Sequence, residues 1–256
     1  MSRVRIGEAR QRFLRMMHSR PISLGNRGPF VSFSFDDFPR TAYTTGGAIL
    51  KSYGIHGTYY AATGLINTCN ELGEQMRRED IDSLLADGHE LGCHTFSHVS
   101  CRRTSRNEYK REVNTGRKMI HEMTGADPVN FAYPYGHVTA HLKKIVGEQM
   151  RSCRGIYGGI NAPDIDLNLL LANSLYGDVD QLSKAKKLLL ESISQSGWLI
   201  FYTHDVCQNP SPYGCTPALL EESINLAKEK GITIAGIKEV LDIIQDTLCE
   251  SSTCKG

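Results

Sequence analysis

Residues 30–37 read FVSFSFDD, an apolar run that ends abruptly in Asp36 and Asp37. Glycine and proline residues flank the run, so the pattern predicts a short strand that is buried on both faces. Strands of that kind belong to parallel sheets, and α/β proteins bind ligands at the carboxyl ends of parallel strands. The two aspartates therefore lie at an expected site. The alternative is that Asp37, or Thr41, only caps the helix that follows.

Strand and helix patterns alternate along the rest of the chain. Five further apolar runs predict strands at 56–63, 90–94, 129–133, 198–204 and 232–235, with helical patterns between them. Residues 151–177 give the weakest pattern, with one or two short strands, the clearest at 171–176. About seven strands that alternate with helices predict an α/β fold, whose parallel sheet short crossovers can close into a barrel. We expect a single domain over residues 28–256, preceded by a basic segment over residues 1–27.

The charge distribution separates the amino terminus from the rest of the chain. The net charge is +1, which gives no reason to expect nucleic acid as a partner. Residues 1–20, however, hold six arginines and one glutamate together with a weak amphipathic pattern. We expect this segment to pack on the body of the protein, with an anionic surface or a targeting role as the alternatives.

The composition also bears on location and on cysteine chemistry. No signal peptide and no apolar run long enough for a membrane span are visible, so we expect a cytoplasmic or peripheral protein. The eight cysteines form no Cys-x-x-Cys pair, which argues against a structural zinc module and for mostly reduced thiols. The oligomeric state is left open.

Histidines follow two further predicted strands. His94 and His98 are four residues apart, which suits binding of one metal ion. His137 and His141 have the same spacing but lie within a predicted helix, so the first pair is favoured as ligands. His204 ends another predicted strand, where a buried core histidine would be the ordinary interpretation. The convergence of these strand ends argues for a shared site instead.

Elementary chemistry suggests roles for these groups. One carboxylate and two imidazoles give a metal ion three protein ligands and leave a position open, as in catalytic sites. An ion of this kind lowers the pKa of a bound water. The second carboxylate can take the proton of that water, and His204 can protonate a leaving group. This set of groups predicts a metal-assisted hydrolase.

Four ordered motifs resemble those of the polysaccharide deacetylases, carbohydrate esterase family 4, with their NodB homology domain. The motifs are FSFDD (33–37), HTFSH (94–98), FAYPYG (131–136) and FYTHD (201–205). The resemblance implies a distorted (β/α) barrel and metal-dependent removal of acetyl groups from N-acetylated sugars, with an N-acetylated carbohydrate as the substrate.

The resemblance also implies roles for individual residues. The metal ligands fall on Asp37, His94 and His98, which usually hold zinc in this family, with Co²⁺, Ni²⁺ or Mn²⁺ as alternatives. The base falls on Asp36 and the acid on His204. Within the third motif, the backbone N–H of Tyr135 would stabilise the oxyanion of the intermediate, and Tyr133 and Pro134 are further substrate-binding candidates.

The chain departs from the family pattern in two places. The third motif commonly carries an arginine that orients the base, and Ala132 stands there instead. The motif that supplies an acid and a tryptophan is not clearly present, so Asp178, Asp180 or Asp205 is expected to tune His204. We therefore keep two rivals to the deacetylase: a hydrolase of a small cyclic amide or ureide on the same fold, and an inactive glycan-binding protein.

Overall fold

The structure is a computed structural model that describes residues 13, 14 and 16–253, with side chains as far as residue 245. Most of the predicted amphipathic segment at the amino terminus lies outside these residues, as do the side chains of Cys249 and Cys254. No helix of the described residues is both long enough and apolar enough to cross a membrane.

Strands and helices alternate along the described residues. The strands are β1 (Pro21–Ser23), β2 (Phe30–Asp36), β3 (Thr58–Ala61), β4 (Cys69–Asn70), β5 (Gly73–Glu74), β6 (Glu90–Cys93), β7 (Asn130–Ala132), β8 (Ser152–Arg154), β9 (Asp164–Asp166), β10 (Asn173–Ser174), β11 (Trp198–Thr203) and β12 (Thr233–Ile234). The α-helices are α1 (Ala48–Ser52), α2 (Arg78–Ala86), α3 (Arg106–Thr124), α4 (Ala140–Gly147), α5 (Leu182–Ser194), α6 (Pro217–Glu229) and α7 (Ile237–Thr253). Shorter helical turns span Ala42–Gly47, Thr63–Leu65, Pro134–Gly136 and Val179–Gln181.

The main sheet is parallel throughout and curls into a barrel. Its strands follow the order β10-β11-β2-β3-β6-β7-β8, and β12 pairs with the first half of β2. The segment that leads into β10 joins the two ends of the sheet: Leu170 bridges Arg154 of β8, and Asn173 pairs with Phe201 of β11. The expected α/β barrel of about seven parallel strands is confirmed.

Strand β2 lies at the centre of the sheet, and all seven of its residues are buried. The hydroxyl groups of its two serines form hydrogen bonds, although the strand is deeply buried. Ser32 donates to the carbonyl of Ala235 at 2.7 Å and accepts from the indole N–H of Trp198 at 2.9 Å. Ser34 donates to the carbonyl of Phe201 at 2.8 Å. Because side chains alternate between the faces of a strand, Asp36 continues the face of the two serines and ends it at the mouth of the barrel.

The structure differs most from the predicted elements between residues 151 and 177. The predicted strand at 171–176 is only Asn173–Ser174, and β8 is a strand of three residues that no pattern located. Such short strands are set by pairing with distant neighbours rather than by their own periodicity. The predicted helix at 137–150 begins instead at Ala140, because Thr139 caps it by accepting from the N–H of Leu142.

The described residues of the amino-terminal segment contact the body. Leu14 is buried, and its carbonyl accepts a hydrogen bond from the fully buried Lys143 at 2.7 Å. Lys143 also pairs with Asp166 at 2.5 Å, and β1 pairs with β9. The domain boundary at residue 27 and the packing of the residues before Leu14 stay predictions.

Candidate metal centre and active site

Three side chains converge at the carboxyl ends of β2 and β6, which are separated in the sheet by β3. Asp37 follows β2, and His94 and His98 follow β6. Oδ1 of Asp37 lies 3.4 Å from Nε2 of His94 and 3.1 Å from Nε2 of His98, and one donor atom from each residue lies within 4.8 Å of the others. Atoms bound to one tetrahedral zinc ion at about 2.1 Å would be about 3.4 Å apart. The separations therefore fit a single ion.

The hydrogen bonds of this trio leave the three donor atoms available to a metal. Nδ1 of His94 lies 2.8 Å from the carbonyl of Ala132, which makes Nδ1 the protonated nitrogen and leaves the Nε2 lone pair facing Asp37. Oδ1 of Asp37 is buried and accepts no hydrogen bond within the described part of the chain. A buried carboxylate oxygen without a donor is costly in protein, and a cation would satisfy it.

Burial also sets the protonation of the trio. It lowers the pKa of His94 to about 3, with the charge of His98 adding to the effect, and it lowers the pKa of His98 as well. Both imidazoles are therefore neutral at pH 7, as metal ligation requires. Burial raises the pKa of Asp37 to about 7; the charges of Asp36 and Glu71 add to this rise, whereas His204 opposes it. The residues present fit a divalent metal ion.

Strained backbone marks the same place. Among the described residues other than glycine, eight have a positive φ, and five of these surround the site: Asp37 (62°), Phe38 (58°), Thr95 (66°), His98 (53°) and Tyr135 (58°). Each such conformation costs roughly 1–3 kcal/mol and persists only where the surroundings enforce it. This concentration of strain is typical of a functional site.

Helix α3 supports the loop that carries His98. The carboxylate of Glu112 accepts hydrogen bonds from the N–H of Ser97 at 2.7 Å and from its hydroxyl at 3.2 Å. A Cβ on Gly116 would lie 2.7 Å from the carbonyl oxygen of Thr95, so only glycine lets the helix approach the loop this closely. The second histidine is thus held by a rigid element outside the site.

The other aspartate of the pair has a different partner. Asp36 is 4% exposed, and its Oδ1 accepts a hydrogen bond from Nη2 of Arg154, which is 1% exposed. The guanidinium lies between the rings of Tyr60 and Tyr202, at 4.8 and 5.2 Å from their centroids. Burial alone would raise the pKa of Asp36, but Arg154, with help from His94 and His204, holds it below its ordinary value. Asp36 is therefore an ionised carboxylate, able to accept a proton.

Arg154 is the functional residue that the sequence analysis missed. The family arginine was expected at the position of Ala132, and Arg154 is the register partner of Ala132 on the neighbouring strand β8. The charge that orients Asp36 is thus present but comes from another strand. The available signal was a single arginine followed by glycine in the weakly patterned region after residue 150, which does not by itself indicate a site.

His204 completes the arrangement from the end of β11. Its Nδ1 lies 3.1 Å from the carbonyl of Tyr213, and its Nε2 lies 4.0 Å from Oδ2 of Asp37. Tyr176 and Tyr213 flank the imidazole, with ring centroids at 6.0 and 5.8 Å. The imidazole is therefore oriented by a backbone carbonyl, with Nε2 facing the metal trio.

Of the three carboxylates expected to tune His204, those of Asp205 and Asp178 are engaged elsewhere, and that of Asp180 is exposed. Asp205 accepts from the N–H and the hydroxyl of Ser211, at 2.8 and 2.5 Å, and so organises the loop after β11. Asp178 accepts from the N–H of Asp180 and caps the helical turn there. Within the described residues, no hydrogen bond joins Asp178, Asp180 or Asp205 to His204. The carbonyl of Tyr213 lies next to Nδ1 of His204 instead.

The five groups open into one cavity of about 330 Å³. Four tyrosines line it: Tyr135, Tyr176, Tyr202 and Tyr213. Tyr135 and Tyr213 are about half exposed, at 55% and 53%, so the cavity is open to solvent. A larger cavity of about 450 Å³, bordered by His56 and Lys238, lies at the opposite ends of the strands and contains none of these groups.

Other residues that the sequence analysis considered lie outside this cavity. Tyr133 and Pro134, named as substrate-binding candidates, are buried and do not line it, and the hydroxyl of Tyr133 donates to the carbonyl of Asn168 at 3.3 Å. Tyr135 is the member of that motif that reaches the cavity. The second histidine pair is apart from the metal trio, since Nδ1 of His137 lies 2.7 Å from the hydroxyl of Ser100 and His141 is exposed.

Comparison with known proteins assigns the chain to a family. The family model described as polysaccharide deacetylase matches residues 23–162, more than half of the chain. The chain belongs to the polysaccharide deacetylase family. The matched range includes the metal trio, Asp36 and Arg154, and it ends before His204.

Relatives of this polysaccharide deacetylase act on peptidoglycan according to their names. It is 28% identical over 115 residues to the peptidoglycan-N-acetylmuramic acid deacetylase PdaC of Bacillus subtilis, a match that covers 44% of this chain and 23% of that protein. It is 25% identical over 118 residues to the peptidoglycan-N-acetylglucosamine deacetylase PgdA of Listeria monocytogenes, covering 46% of this chain and 24% of that protein. The matches thus span about a quarter of these relatives' lengths.

A solved structure of PdaC from Bacillus subtilis, carrying the substitution D285S, has the same fold. It superposes with a TM-score of 0.54 at 18% identity and covers 91% of this chain and 98% of that chain. The likeness therefore extends beyond the range of the family model.

Proposed function

We propose that this polysaccharide deacetylase is a metal-dependent hydrolase that removes N-acetyl groups from a poly- or oligosaccharide containing N-acetylglucosamine, and releases acetate. The observation that carries the proposal is that Asp37, His94 and His98 surround one point, with Asp36 and His204 beside it in a cavity lined by tyrosines. Peptidoglycan, named for the relatives, is one source of such units.

Asp37, His94 and His98 would hold the metal. Zinc is the first choice because it accepts two imidazoles and a carboxylate with a position left open, and Co²⁺, Ni²⁺ and Mn²⁺ are alternatives. A divalent ion bound there supplies Lewis acidity toward the acetamide carbonyl and lowers the pKa of the attacking water.

Asp36 is assigned the role of the base. The water oxygen attacks the carbonyl carbon of the acetamide, and Asp36 takes the proton that this oxygen loses. The charge of Arg154 keeps Asp36 ionised, and the hydrogen bond from Arg154 to Oδ1 fixes which carboxylate oxygen remains free. The backbone N–H of Tyr135 donates to the carbonyl oxygen as negative charge develops on it.

His204 is assigned the role of the acid. Its Nδ1 proton is held by the carbonyl of Tyr213, so the proton that it gives away is on Nε2, the nitrogen that faces the site. This proton goes to the amine nitrogen as the C–N bond breaks. Acetate and a glucosamine unit then leave through the open side of the cavity.

The cavity favours this function over the two rivals. A small cyclic amide or ureide would suit an enclosed pocket, whereas two half-exposed tyrosines at the rim suit stacking against sugar rings. An inactive glycan-binding protein has no need of an ionised Asp36 held by Arg154 beside a complete ligand trio. The cytoplasmic or peripheral location expected from the sequence stays a prediction.

Acetate release tests the proposal directly. The chain is incubated with chitin oligomers, peptidoglycan fragments and small cyclic amides, with and without a chelator and with zinc added back. We expect acetate from an N-acetylglucosamine substrate, loss of it with chelator and recovery with zinc. Substitution of Asp36→Asn should lower kcat by about 10²–10⁴-fold, the range for loss of a general base. A full rate in that variant would refute the assigned role.

A further inference from the structure

We propose that Glu71 makes this site prefer N-acetylated sugars without a carboxylate over those that carry one next to the acetamide, of which the N-acetylmuramic unit is an example. The inference rests on the proposed deacetylase function and specifies its substrate class. Glu71 belongs to none of the motifs discussed above, yet it lines the same cavity as the metal trio.

A small hairpin holds Glu71 in place. Strands β4 and β5 pair antiparallel, with Asn70 opposite Gly73, which leaves Glu71 and Leu72 as the turn. The side-chain carbonyl of Asn70 accepts from the N–H of Leu72 at 2.9 Å and from the amide of Gln75 at 3.0 Å. The tip of the hairpin is therefore an ordered turn.

The hairpin is tied to the segment that carries a metal ligand. The N–H of Met76 donates to the carbonyl of Phe38 at 3.0 Å, and Gln75 forms a β-bridge with Pro39. Phe38 directly follows Asp37. The distance between Glu71 and the metal trio is thus set by backbone hydrogen bonds.

The negative charge of Glu71 belongs to the cavity itself. Glu71 lines it together with Asp37 of the metal trio and with Tyr135 at the rim. Within the described residues no ion pair engages Glu71, whereas Glu74 on the same hairpin pairs with Arg40 and Arg77. With a divalent ion bound, the formal charges of Asp36, Asp37, Glu71, Arg154 and the ion would cancel, and a protonated His204 would leave the site at +1. Without Glu71 the positive charge would be larger by one and would attract anions more strongly.

The chemistry of the sugar places a substrate carboxylate in this field. The acetamide is on C2 of the ring, and the lactyl ether of a muramic unit is on the adjacent C3. When the acetamide carbonyl is at the metal centre, that carboxylate lies only a few ångströms away. Because Glu71 is exposed to solvent, the dielectric constant around it is close to that of water, and like charges about 3–4 Å apart then disfavour binding by about fivefold to tenfold. Of the two relatives reported above, PdaC is named for N-acetylmuramic acid and PgdA for N-acetylglucosamine, so the names of these two proteins make the same distinction.

Two matched variants test the proposal. Glu71→Gln removes the charge and keeps the shape, and Glu74→Gln removes a charge from the same hairpin outside the cavity. The measured quantity is kcat/KM of the zinc-loaded chain for an N-acetylglucosamine oligomer, and for an oligomer of the same length whose reacting unit is N-acetylmuramic acid. We expect Glu71→Gln to raise the ratio of the muramic value to the glucosamine value about fivefold to tenfold. Glu74→Gln should leave the ratio unchanged, and 0.5 M salt should shrink the effect of Glu71→Gln.

The outcomes separate this proposal from the assigned activity. An unchanged ratio in Glu71→Gln, or an equal fall for both oligomers, would overturn the charge argument while leaving the deacetylase function intact. If the wild-type chain releases acetate from neither oligomer, the proposed function fails. Calorimetric titration of the same oligomers then decides the charge argument alone: tighter binding of the muramic oligomer by Glu71→Gln supports it, and equal binding by both chains refutes it.

Discussion

Replacement of Arg154 by methionine is the most informative single change. It removes the positive charge beside Asp36 and leaves an apolar side chain of similar length between Tyr60 and Tyr202. Both members of the ion pair are almost fully buried, at 1% and 4% exposure. Removal of one partner from such a pair costs about 3–5 kcal/mol when the other stays charged. Asp36 can avoid most of that cost by taking a proton, so its pKa should rise when the charge of Arg154 is removed.

The consequence is a base with a larger protonated fraction and a less fixed orientation. We expect Arg154→Met to lower kcat/KM at least tenfold at pH 7 and to recover part of it at pH 9, because the acidic limb of the pH–rate profile moves upward with the pKa of Asp36. The assay is acetate release between pH 5 and 10, with thermal unfolding recorded for each variant. A wild-type profile in Arg154→Met would refute the assignment of Arg154 as the residue that positions and ionises Asp36.

Three further variants serve as controls for this change. Arg154→Lys keeps the charge but loses the planar fork, so its profile should lie between the other two. Arg151→Met removes the pair with Asp242, which is partly exposed on both sides, and should cost less than about 1 kcal/mol with no change in the pH profile. The double variant Ala132→Arg/Arg154→Met returns the guanidinium to the position usual in the family and should recover part of the lost activity.

The remaining predictions concern the metal, the substrate and acid stability. Zinc at a hundredfold excess over its Kd should raise the Tm of the wild-type chain by about 5–10 °C, as measured by scanning calorimetry. The Tm of His98→Ala should rise much less. Equal shifts would exclude His98 as a ligand. Tyr213→Ala should lower kcat/KM for oligomers about tenfold or more, since it removes a ring from the rim, and an unchanged value would count against stacking there. Burial lowers the pKa of His89 to about 4, and its Nδ1 accepts from the N–H of Gly57 at 3.0 Å. This pKa lies below the pKa of a histidine in the unfolded chain, so His89 contributes stability above pH 6.5 that is lost as the pH falls to 4, up to about 3 kcal/mol. Urea unfolding at pH 6.5 and pH 4 should show this loss. The variant His89→Gln should show a smaller loss.

The proximity of Asp37, His94 and His98 could be predicted from the sequence because each of them follows a strand with a clear apolar pattern. Asp36, Asp37 and His94 stand at or just after strand ends, and the ends of parallel strands meet at one edge of the sheet whatever the crossovers between them do. The barrel was predictable for the same reason, since the alternation of strands and helices is a local signal.

The rest of the site depends on contacts that no local pattern reports. Arg154 lies on a strand of three residues whose position is fixed by pairing with β7. Glu71 reaches the cavity because its hairpin is hydrogen-bonded to Phe38 and bridged to Pro39. The proximity of Asp205 to His204 in the sequence suggested a contact, whereas the loop after β11 turns its carboxylate toward Ser211. In each case tertiary pairing decides where the side chain points.

The relocation of the arginine has a simple geometric basis. Ala132 and Arg154 are register partners on parallel strands, and register partners project to the same face of a sheet. Ala132 belongs to the same buried cluster as Tyr60, the ring over which the guanidinium of Arg154 lies. A small residue at position 132 therefore leaves space next to Tyr60 for the side chain from β8. A second guanidinium there would have no second carboxylate to pair with. Asp36 can therefore pair with an arginine at position 132 or at position 154, but not with both.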